Sequence, residues 1–142
     1  MKILEASKKD LKEIALIFKE EFSREPYNEK WTEKSALKKV KSYFLYSKIH
    51  IAKDSGGIIG FVISSTIPWD NYKKAFINEI LVRKSRQNNG VGSALLEFME
   101  SYYKRDGAKL IELASLEESD AYQFYIKRGY LENKMVIMEK KL

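Results

Sequence analysis

Val82-Arg83-Lys84-Ser85-Arg86-Gln87-Asn88-Asn89-Gly90-Val91-Gly92-Ser93-Ala94-Leu95-Leu96 is the stretch on which the reading of this chain turns. Ahead of it, Ala75 to Val82 is an apolar run with the composition of a strand. Behind it, Val91, Ala94, Leu95, Phe98, Met99 and Tyr102 repeat at helical spacing. The polar loop between them ends in Gly90 and Gly92. A strand that feeds a glycine-bearing loop at a helix start makes an anion cradle. The first N–H groups of a helix have no partner inside it, and the macrodipole adds partial positive charge. Glycine lets the anion reach the backbone with no Cβ in the way.

Two common phosphate loops are excluded. The dinucleotide fingerprint needs a third glycine where Leu95 stands, and the Gly-Lys-Ser/Thr of a P-loop is absent. What remains is Gln87-x-x-Gly90-x-Gly92.

Composition narrows the function classes. A chain of 142 residues, 44% apolar and 32% charged, suits one globular domain, expected over residues 1–142. No apolar run approaches the ~20 residues of a membrane span. Met1 to Asp10 is mostly polar and charged, unlike a signal peptide, so the expected compartment is the cytoplasm. With no cysteine there is no disulfide framework, cysteine nucleophile or thiolate zinc site. A single histidine, His50, rules out a multi-histidine metal centre, and no metal is expected. Alternating with Ile49 and Ile51, His50 reads as a solvated or hydrogen-bonded strand residue. The net charge is +6, with lysines scattered along several helices. That pattern fits a solvated surface or a polyanionic cofactor better than a nucleic-acid arm.

Along the chain, Met1 to Ala6 reads as an opening strand. Ser7 and Asp10 form a capping box for a helix to about Phe22. Arg24 to Trp31 is a loop, and Thr32 caps a second helix ending near Ser47. Lys48 to Lys53 and Ile58 to Ile67 flank the hairpin turn Asp54-Ser55-Gly56-Gly57. Gly60 marks a bulge or close packing. The central strand, loop and third helix follow, with Gly107 suited to a left-handed C′ position. Lys109 to Leu116 is a strand, a short helix runs to about Arg128, and a final strand is centred on Met135 to Met138. The order β-α-α-β-β-β-α-β-α-β describes an α/β chain. Its central mixed, mostly antiparallel sheet is flanked by about four helices.

That order, with Gln-x-x-Gly-x-Gly at its centre, resembles the GNAT N-acetyltransferase fold. A second match lies far from the first, in Ala121-Tyr122-Gln123-Phe124-Tyr125-Ile126-Lys127-Arg128-Gly129-Tyr130. It is similar to the family's C-terminal signature of an alanine, an aromatic-tyrosine pair and Gly-Phe, here Gly-Tyr. The family usually has asparagine three residues before that alanine; here the position is Glu118.

The resemblance implies acetyl-CoA as co-substrate. Its diphosphate would meet backbone N–H groups of Gln87, Asn88, Asn89, Gly90, Val91, Gly92 and Ser93. Its pantetheine would meet main-chain groups of Leu81 and Val82, in a gap opened by a bulge in the central strand. Lys84 and Arg86 are candidates for neutralising phosphate. It also implies a glutamate on the central strand as general base and the signature tyrosine as acid, here Glu79 and Tyr125. By strand alternation Glu79 shares a face with Ile77 and Leu81, and apolar neighbours raise a carboxyl pKa toward a useful range. The acceptor groove would draw on the loop between the first two helices. Tyr27 and Trp31 are its candidate substrate contacts, with Glu25, Asn28, Glu29, Glu117, Glu118 and Asp120 nearby. Carboxylates with aromatics suit a cationic amine. The implied reaction moves an acetyl group to a primary amine of a small molecule, polyamine or protein. The competing reading is a non-catalytic acyl-CoA-binding module. Members of the family often pair through C-terminal strands, which leaves a homodimer open.

Overall fold

The computed structural model describes residues 1–142. After a short strand β1 (Lys2–Glu5), the chain turns into its first helix as the Ser7–Asp10 spacing predicts. The backbone N–H and the hydroxyl of Ser7 both donate to Asp10 Oδ2 at 2.8 Å. One 3-10 turn covers Lys8–Asp10, and α1 runs Leu11–Phe22. Asp10 is buried and accepts Lys53 Nζ at 2.7 Å. Burial pushes its carboxyl up, but the bonds from Lys53 and Ser7 outweigh this and bring it to about 2. Helix α2 (Glu33–Tyr46) has its reciprocal cap between Thr32 and Ser35.

Strands β2 (Lys48–Asp54), β3 (Gly57–Pro68) and β4 (Lys73–Val82) make an antiparallel meander. Helix α3 (Val91–Arg105) then carries the chain back so that β5 (Ala108–Leu113) lies parallel to β4. Such a return needs a crossover element, and a helix of this length supplies it. The sheet order is β1-β2-β3-β4-β5. A last helix, α4, spans Asp120–Ile126.

Two apolar layers hold the sheet. Ile14, Ile17 and Phe18 of α1, with Ala36 and Val40 of α2, pack on Ile49, Ile51, Phe61 and Ile63. Val91, Leu95, Leu96, Met99 and Tyr103 of α3 pack on Val62, Ala75 and Ile77 from the other side. Burial on both faces explains why β3 reads as an almost unbroken apolar run from Ile58 to Ile63. Gly60 is required by close packing: a Cβ there would lie 2.8 Å from the carbonyl oxygen of Leu81.

Three expectations change. The closing strand over Met135–Met138 does not form, and no helix or strand follows Ile126. A strand needs a backbone partner as well as apolar residues. Beyond Gly129, which takes a left-handed φ of 85°, residues 131–142 are exposed and pair with no strand. His50 is neither solvated nor fully hydrogen-bonded. It is buried against Phe98 and Tyr102, at ring separations of 5.1 and 5.4 Å, and its Nδ1 has no partner. Burial lowers its pKa.

The third change matters most. Ile63 pairs with Glu79 and Ser64 with Ile77, so Asn78 is an extra residue in β4, a bulge. Side chains flip face there. Ala75 and Ile77 point toward α3, whereas Leu81 packs with α1 and α2 and Glu79 reaches Tyr43 of α2. Glu79 therefore shares a face with Leu81 but not with Ile77. The β4–β5 pairing also stops at Ile77 and Leu113, so the outer edge of β4 from Asn78 to Val82 has no strand beside it.

Candidate active site

The cradle at the mouth of α3 is built from backbone. Gly90 is the N-cap residue, with φ 77°, and α3 has no side-chain cap. From Asn88 through Ser93 no backbone N–H donates to any group of the protein. Asn88 also adopts a positive φ, 61°, and helps turn these amides one way. Gly92 is not demanded by its surroundings, since a Cβ there would meet Phe124 at 3.7 Å and Val82 at 3.8 Å, ordinary contacts. A row of free amides with a glycine that the fold itself does not need is what an approaching anion requires.

Side chains predicted for this loop behave differently from one another. Gln87 turns inward, where its Nε2 donates to Glu21 Oε2 at 2.9 Å and to the Val82 carbonyl at 3.0 Å. Buried Glu21 also accepts the Lys84 N–H at 3.1 Å. Gln87 and Glu21 thus tie the loop to α1, and the Val82 carbonyl is already engaged. Arg86 is paired with Asp54 at 2.8 Å, which draws it away from the cradle toward the β2–β3 turn. Lys84 is exposed and makes no ion pair.

A residue that sequence reasoning passed over takes the position expected of Arg86. Arg128, just beyond α4, donates to Ser93 Oγ in the first turn of α3. Its guanidinium lies 4.0 Å from the Phe124 ring centroid, and no carboxylate pairs with it. The signal was present in the basic pair Lys127-Arg128 inside the second motif. Only the docking of α4 against α3 gives it meaning.

Beside the cradle, where β4 parts from β5, lies a cavity of about 470 Å³. The bulged segment Ile77 to Leu81 forms its floor, and Leu113 to Leu116, Ala121 and Tyr125 form the β5–α4 side. Phe18, Phe22, Tyr27 and Trp31 form an aromatic wall, with Phe18 and Phe22 at 4.6 Å, Phe18 and Trp31 at 5.0 Å, and Phe22 and Tyr27 at 4.9 Å. The two expected catalytic residues, Glu79 and Tyr125, and the two expected substrate contacts, Tyr27 and Trp31, all line this one space. Glu25, Asn28, Glu117, Glu118 and Asp120 do not; Glu29 does, and accepts from Trp31 Nε1.

The electrostatics of the cavity follow from burial. Desolvation is the main reason that the Glu79 carboxyl rises to about 7, with the Glu29 charge adding to it. A hydrogen bond from Tyr43, 2.9 Å to Oε1, and the charge of Lys39 pull the other way. Tyr43 is a second residue that sequence reasoning missed, since nothing local to α2 marks it as a partner of Glu79, 36 positions away. Burial, then the neighbouring Tyr27 and Glu79, push the Tyr125 phenol up, so it keeps its proton at neutral pH. Ser119 sets the start of α4, accepting the Tyr122 N–H at 3.2 Å and donating to the Leu116 carbonyl at 2.7 Å. That cap turns Tyr125 inward.

Comparison with known proteins agrees with this architecture. The model of the acetyltransferase (GNAT) family matches residues 9–130, so the chain belongs to that family. A possible acetyltransferase from Clostridium difficile 630 superposes with a TM-score of 0.86 at 18% identity, covering 99% of this chain and 97% of the other. Aminoglycoside N-acetyltransferase AAC(6')-Iy, solved in complex with CoA, gives 0.76 at 20% identity, with 99% and 93% covered. An aminoglycoside acetyltransferase from an uncultured soil metagenomic sample, solved with sisomicin, gives 0.74 at 16% identity, with 99% and 95% covered. These likenesses establish a shared fold. No curated protein matches the sequence. No helix is long and apolar enough to cross a membrane.

Proposed function

We propose that this chain, acting as one domain over residues 1–142, transfers an acetyl group from acetyl-CoA to a primary amine of a small molecule. Supporting this is one juxtaposition. The unpartnered amides from Asn88 to Ser93 open beside a cavity that holds Glu79, with a carboxyl near neutral pKa, and a protonated phenol, Tyr125.

The residues fit the co-substrate. The amides and Arg128 would hold its diphosphate, and the open β4 edge beyond Ile77 would lie along its pantetheine. When bound, acetyl-CoA supplies an acetyl group activated as a thioester. An alkylammonium with a pKa near ~10 is mostly unreactive at neutral pH. Glu79 takes a proton from it, directly or through water, and frees the nitrogen lone pair to attack the acetyl carbon. As the carbon–sulfur bond breaks, the Tyr125 O–H gives its proton to sulfur, and the surplus proton on the new amide nitrogen restores the phenol through water. A base near pKa 7 is matched to this task, because it is ionised at working pH yet basic enough to accept.

The test is release of free thiol from acetyl-CoA across a panel of amines, with acetylated product identified by mass. Amine-dependent thiol release is expected. Binding of acetyl-CoA with no transfer to any amine would reduce the chain to an acyl-CoA-binding module and overturn the transferase reading.

A further inference from the structure

The cavity is lined by only three charged residues, and one of them is a cation. Of the carboxylates near the acceptor loop and α4 in sequence, only Glu29 reaches the cavity, where it is bonded to Trp31. Glu79 is bonded to Tyr43 and raised toward neutrality. The third charged residue lining the space is a cation, Lys39, which pairs with no carboxylate. Its Nζ sits 4.7 Å from the Tyr43 ring centroid, on the same side chain that holds Glu79. The remaining acceptor wall is aromatic.

From this geometry we infer that the acceptor is a monoamine on an aromatic or branched apolar body, and that Lys39 sets this choice by repelling polycations. The inference rests on the transferase reading. One ammonium can be met and deprotonated at Glu79. A second or third ammonium on the same molecule would face Lys39, with Glu29, hydrogen-bonded by Trp31, as the one other carboxylate of the cavity, and like-charge contact in a partly desolvated site is costly. An apolar body loses water against Phe18, Phe22, Tyr27 and Trp31 and needs no counter-charge. Discrimination is thus built partly by attraction and partly by a repulsive element.

The test compares kcat/KM for phenethylamine and tyramine with that for spermidine and kanamycin, using the free-thiol readout. The arylalkylamines are expected to lead by roughly tenfold or more. Lys39→Glu is expected to narrow that ratio by roughly tenfold, and Lys39→Met to fall between the two. Circular dichroism and thermal midpoints show whether each variant is folded. Should Lys39→Glu misfold, the Lys39→Met ratio decides. Spermidine or kanamycin favoured by the wild type, or a preference untouched in the folded Lys39 variants, would overturn the acceptor class while leaving the transferase intact. No transfer to any of the amines, with acetyl-CoA bound, would overturn both.

Discussion

The cradle and the cavity lie side by side yet are made differently. The cradle is main chain: consecutive amides from Asn88 to Ser93, contiguous in sequence, with Gly90 in a left-handed turn. The cavity is side chain: Phe18 from α1, Trp31 from the following loop, Lys39 from α2, Glu79 from β4 and Tyr125 from α4. A backbone site depends on where a loop and helix begin and tolerates most side chains around it. A side-chain site depends on every element that delivers a group to it. The first should therefore fail through substitutions that block the amides, and the second through loss of single functional groups.

The sharpest break expected is Gly92→Asp. The added Cβ meets only ordinary contacts, so the fold should survive. The carboxylate would fill and repel the anion position, and loss of two or more charge-assisted hydrogen bonds would weaken acetyl-CoA binding by about 100-fold or more. Calorimetric titration on the folded variant measures this, and unchanged affinity would remove the cradle from the mechanism.

Next in size is Glu79→Gln, which tests the cavity without touching the cradle. Loss of general-base help should cut kcat/KM by roughly 10²–10⁴-fold with acetyl-CoA affinity unchanged. The wild-type profile should rise with pH through about 7 as Glu79 ionises. Stability should move the other way. The folded-state pKa lies above the ordinary glutamate value of 4.5, so between 4.5 and about 7 the folded protein keeps a proton that the unfolded chain releases. Stability then falls as pH rises through that window. At pH 8, Glu79→Gln should raise Tm by about 3–8 °C. A lower Tm there would contradict the burial argument.

Tyr125→Phe keeps the ring packed against Phe124 and Tyr130 and removes only the proton donor. Turnover should drop roughly 10- to 100-fold, with little change in acetyl-CoA affinity. Equal rates for mutant and wild type would make Tyr125 a packing residue.

A smaller effect separates Arg128 from Arg86. Arg128→Gln should weaken acetyl-CoA binding about tenfold, the size of one charge-assisted hydrogen bond, and flatten its salt dependence. Arg86→Gln should leave binding alone, because Asp54 already holds that guanidinium. The reverse result would restore Arg86 as the phosphate partner.

The smallest change expected is Tyr43→Phe. Removing its hydrogen bond to Glu79 should move the rising limb of the kcat/KM profile upward by about 0.5–1 pH unit, since that bond favours the ionised carboxyl. A limb that stays in place would show that Tyr43 does not tune Glu79.

How much was legible in advance follows the same division. The capping box at Ser7, the helix cap at Thr32, the glycine turn at Asp54-Ser55-Gly56-Gly57 and the Gln87-to-Gly92 loop depend on residues a few positions apart, and all formed where their spacing placed them. The pairing of β5 with β4 followed from the crossover through α3. The face of Glu79 was misread relative to Ile77, because one extra residue, Asn78, inverts the alternation. An apolar tetrad at Met135–Met138 looked like a strand, yet apolar character does not furnish a backbone partner.

Local chemistry thus settled the helix mouths, the turns and the row of unpartnered amides, because hydrogen bonds between near neighbours need no knowledge of the rest of the molecule. Packing alone decided that Arg86 goes to Asp54 while Arg128 comes to Ser93, that Lys39 rather than Glu117, Glu118 or Asp120 faces the cavity, and that Tyr43 supports Glu79. These contacts join residues that are far apart in the chain, and their energies depend on burial and distance, which exist only once the sheet and its helices have closed on one another.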